Sequence, residues 1–147
     1  MAHFAELESK TDPTGFTSDT HLVVKRVVVV ANDEVPSDEH ADGETWCVNF
    51  FGGGTWKQTS YNNNFRKMYA GKGFIYNASK NKFLLQQPYA SWSLDGSDDW
   101  QAPVTYPSTN HGYLISWDED NLRWIAVKES DNSNHRWDAD NTEWVSL

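Results

Sequence analysis

One pattern decides the fold class of this chain: Trp117-Asp118-Glu119-Asp120-Asn121-Leu122-Arg123-Trp124, which recurs 20 residues later as Trp137-Asp138-Ala139-Asp140-Asn141-Thr142-Glu143-Trp144. Each copy has two tryptophans with six residues between them, and Asp and Asn at its centre. Asp and Asn tolerate the backbone conformations of tight turns. Each copy therefore predicts a β-hairpin in which the two tryptophans face each other across the strands.

The charged residues beside the two predicted turns differ. In the first copy the turn sets Asp118 opposite Arg123, which is a favourable cross-strand pair. In the second copy the same register sets Asp138 opposite Glu143, and two like charges directly opposed are unfavourable. The second copy therefore predicts a wider loop, or a cation supplied from elsewhere in the chain.

Two weaker copies of the pattern precede these, at residues 76–83 and 92–100. A two-stranded hairpin is marginal alone in water, so the hairpins have to pack on one another. The chain is therefore predicted to be mainly β, with one short helix, as an antiparallel meander of repeated aromatic hairpins. Residues 1–127 are predicted to form a β-rich domain, and residues 128–147 an additional C-terminal aromatic hairpin that is a possible appendage.

The N-terminal third contains the clearest single strand of the chain. Six valines lie within residues 23–30, and this continuous run predicts a strand buried on both faces or central in its sheet. We expect it to pair with residues 3–7 as an opening hairpin. Residues 43–51 predict a short helix that ends at a glycine, with three aromatic side chains on its core face: Trp46, Phe50 and Phe51.

Composition limits the classes of function. The chain has 147 residues, with 12 Lys and Arg against 21 Asp and Glu, and a net charge of -9. So acidic a protein is not expected to bind nucleic acid or an anionic membrane. A single cysteine excludes an internal disulfide framework and a cysteine zinc site. Neither a membrane-spanning apolar stretch nor a signal peptide is expected from the sequence.

No catalytic motif stands out. Cys47 lies among aromatic residues, which favours a buried structural thiol over a nucleophile. The histidines do not occur at metal-binding spacing, and the acidic turns lack the glycine and distant glutamate of a calcium loop. No pair of carboxylates is singled out for glycoside hydrolysis. We therefore expect a protein that is not an enzyme, without catalytic, metal or cofactor-binding residues, cofactor or small-molecule substrate.

One long block is more distinctive than these patterns. It runs over residues 50–76 and contains Phe50-Phe51-Gly52-Gly53-Gly54-Thr55-Trp56 followed by Tyr61-Asn62-Asn63-Asn64-Phe65-Arg66-Lys67-Met68-Tyr69. The block resembles a segment of small virion structural proteins of marine tailed phages, especially cyanophages. Residues 1–7, 27–32, 88–94 and 100–107 resemble the same family. The resemblance implies a non-enzymatic component of a phage particle, either a cement or knob-like capsid decoration protein or a small tail or fibre protein.

Basic residues concentrate in this block and just after it, between two acidic regions: Lys57, Arg66, Lys67 and Lys72 lie in the block, and Lys80 and Lys82 follow it. This asymmetry predicts that the block faces a partner, although a random charge distribution would give a similar pattern. The resemblance implies that this partner is the major capsid protein or another virion protein. The predicted contact residues are Trp56, Tyr61, Asn64, Phe65, Arg66, Lys67 and Tyr69.

Three other functions remain open at this point. The chain could be a tail, fibre or baseplate-associated protein, a carbohydrate-binding module that stacks exposed aromatic rings on sugars, or, least favoured, a hydrolase. The free thiol suits assembly in a reducing compartment. The resemblance implies that the protein is located at the surface of the virion, with the host cytoplasm as the site of assembly.

Overall fold

Residues 1–147 are all described by a computed structural model of the protein. Antiparallel strands dominate and there is one helix, which confirms the predicted β-rich fold class. Contacts divide the chain into two compact units, Met1–Gln86 and Gln87–Leu147. This division falls at Gln86 rather than at residue 127, because the last hairpin pairs with the strand before it and completes the sheet of the second unit.

The first unit contains one helix and a five-stranded antiparallel sheet of order β3-β1-β2-β4-β5. Its elements are β1 (Ala2–Thr11), β2 (Thr20–Val30), α1 (His40–Phe51), β3 (Thr55–Thr59), β4 (Ile75–Asn77) and β5 (Lys82–Leu84). The expected opening hairpin is confirmed, since β1 pairs with β2 along its whole length. The sheet is not a simple meander, because β3 pairs on the other side of β1.

The two central strands carry core residues on both faces, as the run of valines predicted. On one face Phe4 and Val30 join the buried cluster of Cys47 beneath α1. On the other face the buried cluster contains Ala5, Leu7, Val24, Ala70, Tyr76 and Phe83. The alternation of side chains along a strand places neighbouring residues on opposite faces, so one strand can serve both clusters. The first unit is therefore held by two cores on either side of one sheet.

The helix begins three residues earlier than predicted and ends where predicted. Gly52 adopts a left-handed conformation with φ 75°, and its N–H bonds to the carbonyl of Val48. The buried stripe of α1 consists of Gly43 and Cys47. The expectation that Phe50 belongs to the core is wrong: its side chain is 66% exposed, and its ring stacks on Trp46 at 4.8 Å.

The second unit contains a four-stranded antiparallel meander of order β11-β10-β9-β8 and a separate two-stranded ribbon. Its elements are β6 (Ser93–Leu94), β7 (Trp100–Gln101), β8 (Tyr113–Asp118), β9 (Arg123–Lys128), β10 (Asn134–Asp138) and β11 (Glu143–Ser146). Three tryptophans form its buried core, namely Trp117, Trp124 and Trp137. The aromatic residues therefore replace the aliphatic side chains that usually fill such a core.

Three of the four predicted aromatic pairs lie directly opposite each other: Tyr76 and Phe83, Trp117 and Trp124, and Trp137 and Trp144. The predicted pairing of Trp92 with Trp100 is wrong, since Leu94 faces Trp100. In that hairpin the backbone of Asp95 bonds to that of Asp99 at 2.9 Å and closes the turn. The turn residues therefore set a register that leaves Trp92 outside the ribbon.

The predicted wider loop at Asp138 is also wrong. Asp138 and Glu143 are directly opposed, in the register of the first copy. The carboxylate of Asp138 accepts hydrogen bonds from the side-chain amide of Asn141 at 2.9 Å and from the backbone N–H of Asp140 and of Asn141 at 3.1 Å. The side-chain bond from Asn141 is the main cause of a lowered pKa at Asp138. The turn therefore satisfies this charge without a cation opposite it.

Candidate interaction surface

The loop that follows β3 is folded tightly upon itself. The Ser60 hydroxyl accepts a hydrogen bond from the backbone N–H of Asn64 at 2.9 Å. The Asn63 side chain accepts one from the backbone N–H of Tyr69 at 2.7 Å, while Asn63 itself is left-handed with φ 59°. Asparagine tolerates this conformation better than most residues. These bonds join the beginning and the end of residues 60–69, so the loop has a defined surface before any partner binds.

Three aromatic rings meet on this loop. Tyr61 stacks on His3 with ring centroids 5.6 Å apart, and Tyr69 meets the edge of both rings at 5.2 and 5.4 Å. The side chain of Tyr61 is 66% exposed. Contacts of this kind stabilise aromatic pairs by about 0.5–1.5 kcal/mol beyond their buried area. His3, Tyr61 and Tyr69, which we call the aromatic triad, therefore present a partly open ring surface.

His3 was missed by the sequence analysis. It lies at the start of β1, where the register of the sheet sets it opposite Thr59 at the end of β3. Partial burial, with a smaller contribution from the positive N-terminus, lowers the pKa of His3. The ring is therefore neutral at neutral pH, which suits its stacking on Tyr61. The alternation of residues 3–7 could have placed His3 on a face, but not beside a strand so distant in sequence.

Phe65, Asn64 and Lys67 lie on the same loop but not in the triad. Phe65 is half-buried and packs on His40, the first residue of α1, at 4.4 Å between ring centroids. The ring of His40 is held in place by a hydrogen bond of 2.7 Å between its Nδ1 and the Gln58 side chain. Asn64 is exposed, and Lys67 is half-buried with a left-handed backbone of φ 71°. These residues extend the surface around the triad.

Arg66 does not belong to the exposed surface. Its guanidinium donates to the carboxylate of Glu44 at 2.8 Å and to the carbonyl of Gln58 at 2.9 Å, and its side chain is only 8% exposed. The backbone N–H of Gln58 in turn donates to the same carboxylate at 2.7 Å. Gln58 lies on the outer edge of β3, so Glu44 and Arg66 satisfy backbone groups that an edge strand would leave open. We call this arrangement the edge clamp.

Trp56 is also inside the protein, with 3% exposure. Its indole N–H donates to the carbonyl of Gly53 at 3.0 Å, and its ring stacks on Phe51 at 4.7 Å. A side chain so buried cannot offer a contact surface to a partner. The sequence prediction is therefore corrected at two of its seven positions, Trp56 and Arg66, which support the surface from within.

The basic block is less positive in the structure than in the sequence. Lys57 lies 3.7 Å from the Glu44 carboxylate that also holds Arg66. Both cations further approach the ring of Tyr76, at 5.7 and 5.8 Å from its centroid. Two of the predicted surface cations therefore make contacts within the first unit. The aromatic triad is the more prominent surface feature of the block.

Neither the family models, the curated proteins nor the solved structures with which the chain was compared gave a match. No group of three or more His, Cys, Asp or Glu side chains is arranged to hold a metal ion. The structure also contains no helix with the length and apolar character needed to cross a bilayer. What the loop offers chemically is a preformed surface of aromatic rings and amide groups.

Proposed function

We propose that this chain is a non-enzymatic structural protein of a bacteriophage particle, and specifically a capsid decoration protein of cement or knob type that binds the major capsid protein. The observation that carries the proposal is the partly exposed aromatic triad, in which Tyr61 is 66% exposed. Two of its three residues, Tyr61 and Tyr69, belong to the block that resembles small virion proteins. The location that follows is the particle surface, with assembly in the host cytoplasm.

The proposed contact surface consists of Tyr61 and Tyr69, with His3 added and with Asn64, Phe65 and Lys67 around them. Tyrosine is a frequent anchor of interfaces because its ring buries much area and its hydroxyl can remain hydrated. The hydrogen bonds of Ser60 and Asn63 hold the loop in one conformation, which reduces the entropy lost on binding. Both properties support attachment to a shell through many identical copies.

The first experiment measures how many copies of the protein each purified particle carries. Tyr61→Ala should lower that number, because it removes the most exposed ring of the triad. Phe16→Ala is the matched control, since Phe16 is a 41% exposed aromatic residue outside the block. Equal copy numbers for wild type and Tyr61→Ala would contradict the proposed surface. Arg66 is unsuitable for this test because its loss would open the edge clamp.

Microscopy of the same particles separates the capsid from the tail. Density for the protein at icosahedral positions would support a decoration protein. Density at the tail, fibre or baseplate would instead assign the protein a tail-associated role. Absence of the protein from the particles would reject both the decoration role and the tail-associated role.

A carbohydrate-binding module is the second candidate, favoured by the exposed ring of Tyr61 next to the three asparagines of residues 62–64. Amphipathic rings and amide groups are the side chains that contact sugar faces and hydroxyls. The test is nuclear magnetic resonance of the isotope-labelled protein with a panel of glycans. Shifts confined to the Tyr61 and His3 signals would support this role, and unchanged signals across the panel would remove it.

A further inference from the structure

A groove of about 510 Å³ opens on the first unit beside β1 and β2. Ten residues line it, and four of them are basic: Lys10, Lys25, Arg26 and Lys72. Glu8 is the one acidic lining residue, and Val23 and Pro13 are among its apolar ones. This concentration of positive charge is unexpected in a chain whose net charge is -9.

A β-bulge explains why two adjacent cations face the same groove. Glu6 pairs with Arg26 and Leu7 pairs with Val24, so Lys25 is an extra residue in β2. Neighbouring residues of a regular strand point to opposite faces, but a bulge redirects one of them. Lys25 and Arg26 consequently both reach the carboxylate of Glu6, Lys25 with its Nζ at 3.9 Å.

The ion pairs within the groove do not cancel its charge. Glu6, which does not itself line the groove, pairs with both Lys25 and Arg26, and Glu8 pairs with Lys10 at 3.0 Å. The Arg26 guanidinium also lies over the rings of Phe51 and Trp56, at 4.8 and 5.4 Å. Lys72 has no carboxylate partner and its side chain is exposed. Two carboxylates therefore pair with three of the four cations, and the groove keeps a local positive surplus. At physiological ionic strength charges are screened beyond about 8 Å, so a ligand in the groove responds mainly to this local charge.

We propose that this groove binds an extended acidic segment of a partner protein. Alternate side chains of an extended peptide project on one side about 7 Å apart, so its carboxylates can meet the separate cations of the groove. The carbon stems of the lysines and the apolar lining offer contact to the rest of the peptide. Nucleic acid fits less well, because its closely spaced phosphates would meet Glu6, Glu8 and the negative charge of the whole chain.

The experiment uses the full chain and a fluorescein-labelled decapeptide of alternating glutamate and serine, followed by fluorescence anisotropy at low and high salt. We expect saturable binding that weakens as salt rises. Lys25→Gln with Lys72→Gln should weaken it about tenfold, since two cations are lost from the groove. Lys80→Gln with Lys82→Gln is the matched control, because it removes the same charge outside the groove lining and should leave binding within about twofold of wild type.

Thermal unfolding by circular dichroism shows that each variant is folded before binding is measured. The proposal is overturned if the wild-type chain does not bind the peptide at low salt, or if both double variants lose equal affinity. It is also overturned if single-stranded DNA binds as tightly as the peptide, or if millimolar inorganic phosphate displaces the peptide completely. The proposal does not rest on the role in a phage particle: Tyr61→Ala should retain peptide binding, so failure of one proposal leaves the other standing.

Discussion

At the scale of single residues, burial decides the chemistry of the one thiol. Cys47 has no exposed surface, and burial together with the nearby Glu44 carboxylate raises its pKa to about 11. At pH 8 about one thiol in a thousand is then the reactive thiolate. We expect a disulfide reagent to label the folded protein very slowly at pH 8 and the urea-unfolded protein within seconds to minutes. Rapid labelling of the folded chain would contradict the burial of Cys47.

His3 makes stability depend on pH near neutrality. Its pKa in the folded state lies below the ordinary value of 6.5, so the unfolded chain binds the proton more readily. The contribution of the neutral ring to stability is therefore present above pH 6.5 and is lost as the pH falls below it. We expect the melting temperature of the protein to decrease as the pH is lowered from 7.5 to 5.5.

The variant His3→Gln isolates this effect, because Gln does not titrate in that range. The melting temperature of His3→Gln should fall less than that of wild type over the same interval. An unchanged pH dependence in the variant would show that other groups cause it. Asp12 does not interfere, since hydrogen bonds, chiefly from the Thr14 hydroxyl, lower its pKa to about 2, and its effect on stability appears only in stronger acid.

The residues of the proposed contact surface show which parts of a site can be predicted from the sequence. Tyr61, one of the predicted contact residues, is exposed, and it lies beside a run of asparagines that favours a turn. Trp56 and Arg66 were misplaced because their environments come from distant elements: Phe51 of α1 stacks on Trp56, and Glu44 of α1 pairs with Arg66. His3 was missed for the same reason, since only the pairing of β3 with β1 brings it to the loop.

At the scale of elements, packing outweighs helix propensity at Gly43, where the close approach of Phe4 favours a glycine over the better helix former alanine. A methyl group added at Gly43 would lie 2.5 Å from Phe4 Cζ, and Phe4 is only 1% exposed. Alanine in place of glycine usually stabilises a helix by about 1 kcal/mol. Crowding a full core costs about 1–3 kcal/mol, and the buried ring of Phe4 would have to move within that core. We therefore expect Gly43→Ala to lower the free energy of unfolding by up to about 2 kcal/mol, measured by urea denaturation.

Asn49→Ala is the control for this prediction, because Asn49 lies on the exposed side of the same helix. It should raise stability by a few tenths of a kcal/mol. The double variant Gly43→Ala with Phe4→Leu should recover part of the loss if the contact with Phe4 is its cause. A gain in stability for Gly43→Ala alone would mean that the helix shifts freely away from β1.

In the hairpins too, features set by residues close in sequence were predictable, and features set by distant residues were not. Their existence was predictable because Asp and Asn form the turns and the paired aromatic residues lie a few positions away. The register of the β6–β7 ribbon was not, because one additional residue between Trp92 and Trp100 changed the turn. The order of the first sheet was not predicted either, since no turn signal indicates that β3 pairs with β1 instead of β2.

At the scale of the whole molecule, each unit has its own buried core, and we expect a core substitution to act first on its own unit. Trp124 is 7% exposed, donates its indole N–H to Val104 at 2.9 Å and contacts three aromatic rings. Trp124→Ala should cost about 3–5 kcal/mol, as large-to-small core substitutions of tryptophan do. Hydrogen exchange should then lose protection across β8 to β11 while the β1–β2 hairpin keeps its own.

Trp144→Ala provides the comparison within the same sheet, because Trp144 is half-buried. Trp144→Ala should reduce the hydrogen-exchange protection of β8 to β11 less than Trp124→Ala does. Equal loss of protection in both units after Trp124→Ala would show that the chain unfolds as a single cooperative body, against this prediction.

The repeated turn has a consequence for how such a chain can change over generations. Asp118 and Asp138 make the same side-chain bonds to the asparagine three residues later, and all four tryptophans of the two copies lie on one face of the sheet. Because the repeat length of 20 is even, a duplicated copy returns each tryptophan to that face. A tandem duplication of the corresponding gene segment could therefore lengthen this sheet by one hairpin in a single step.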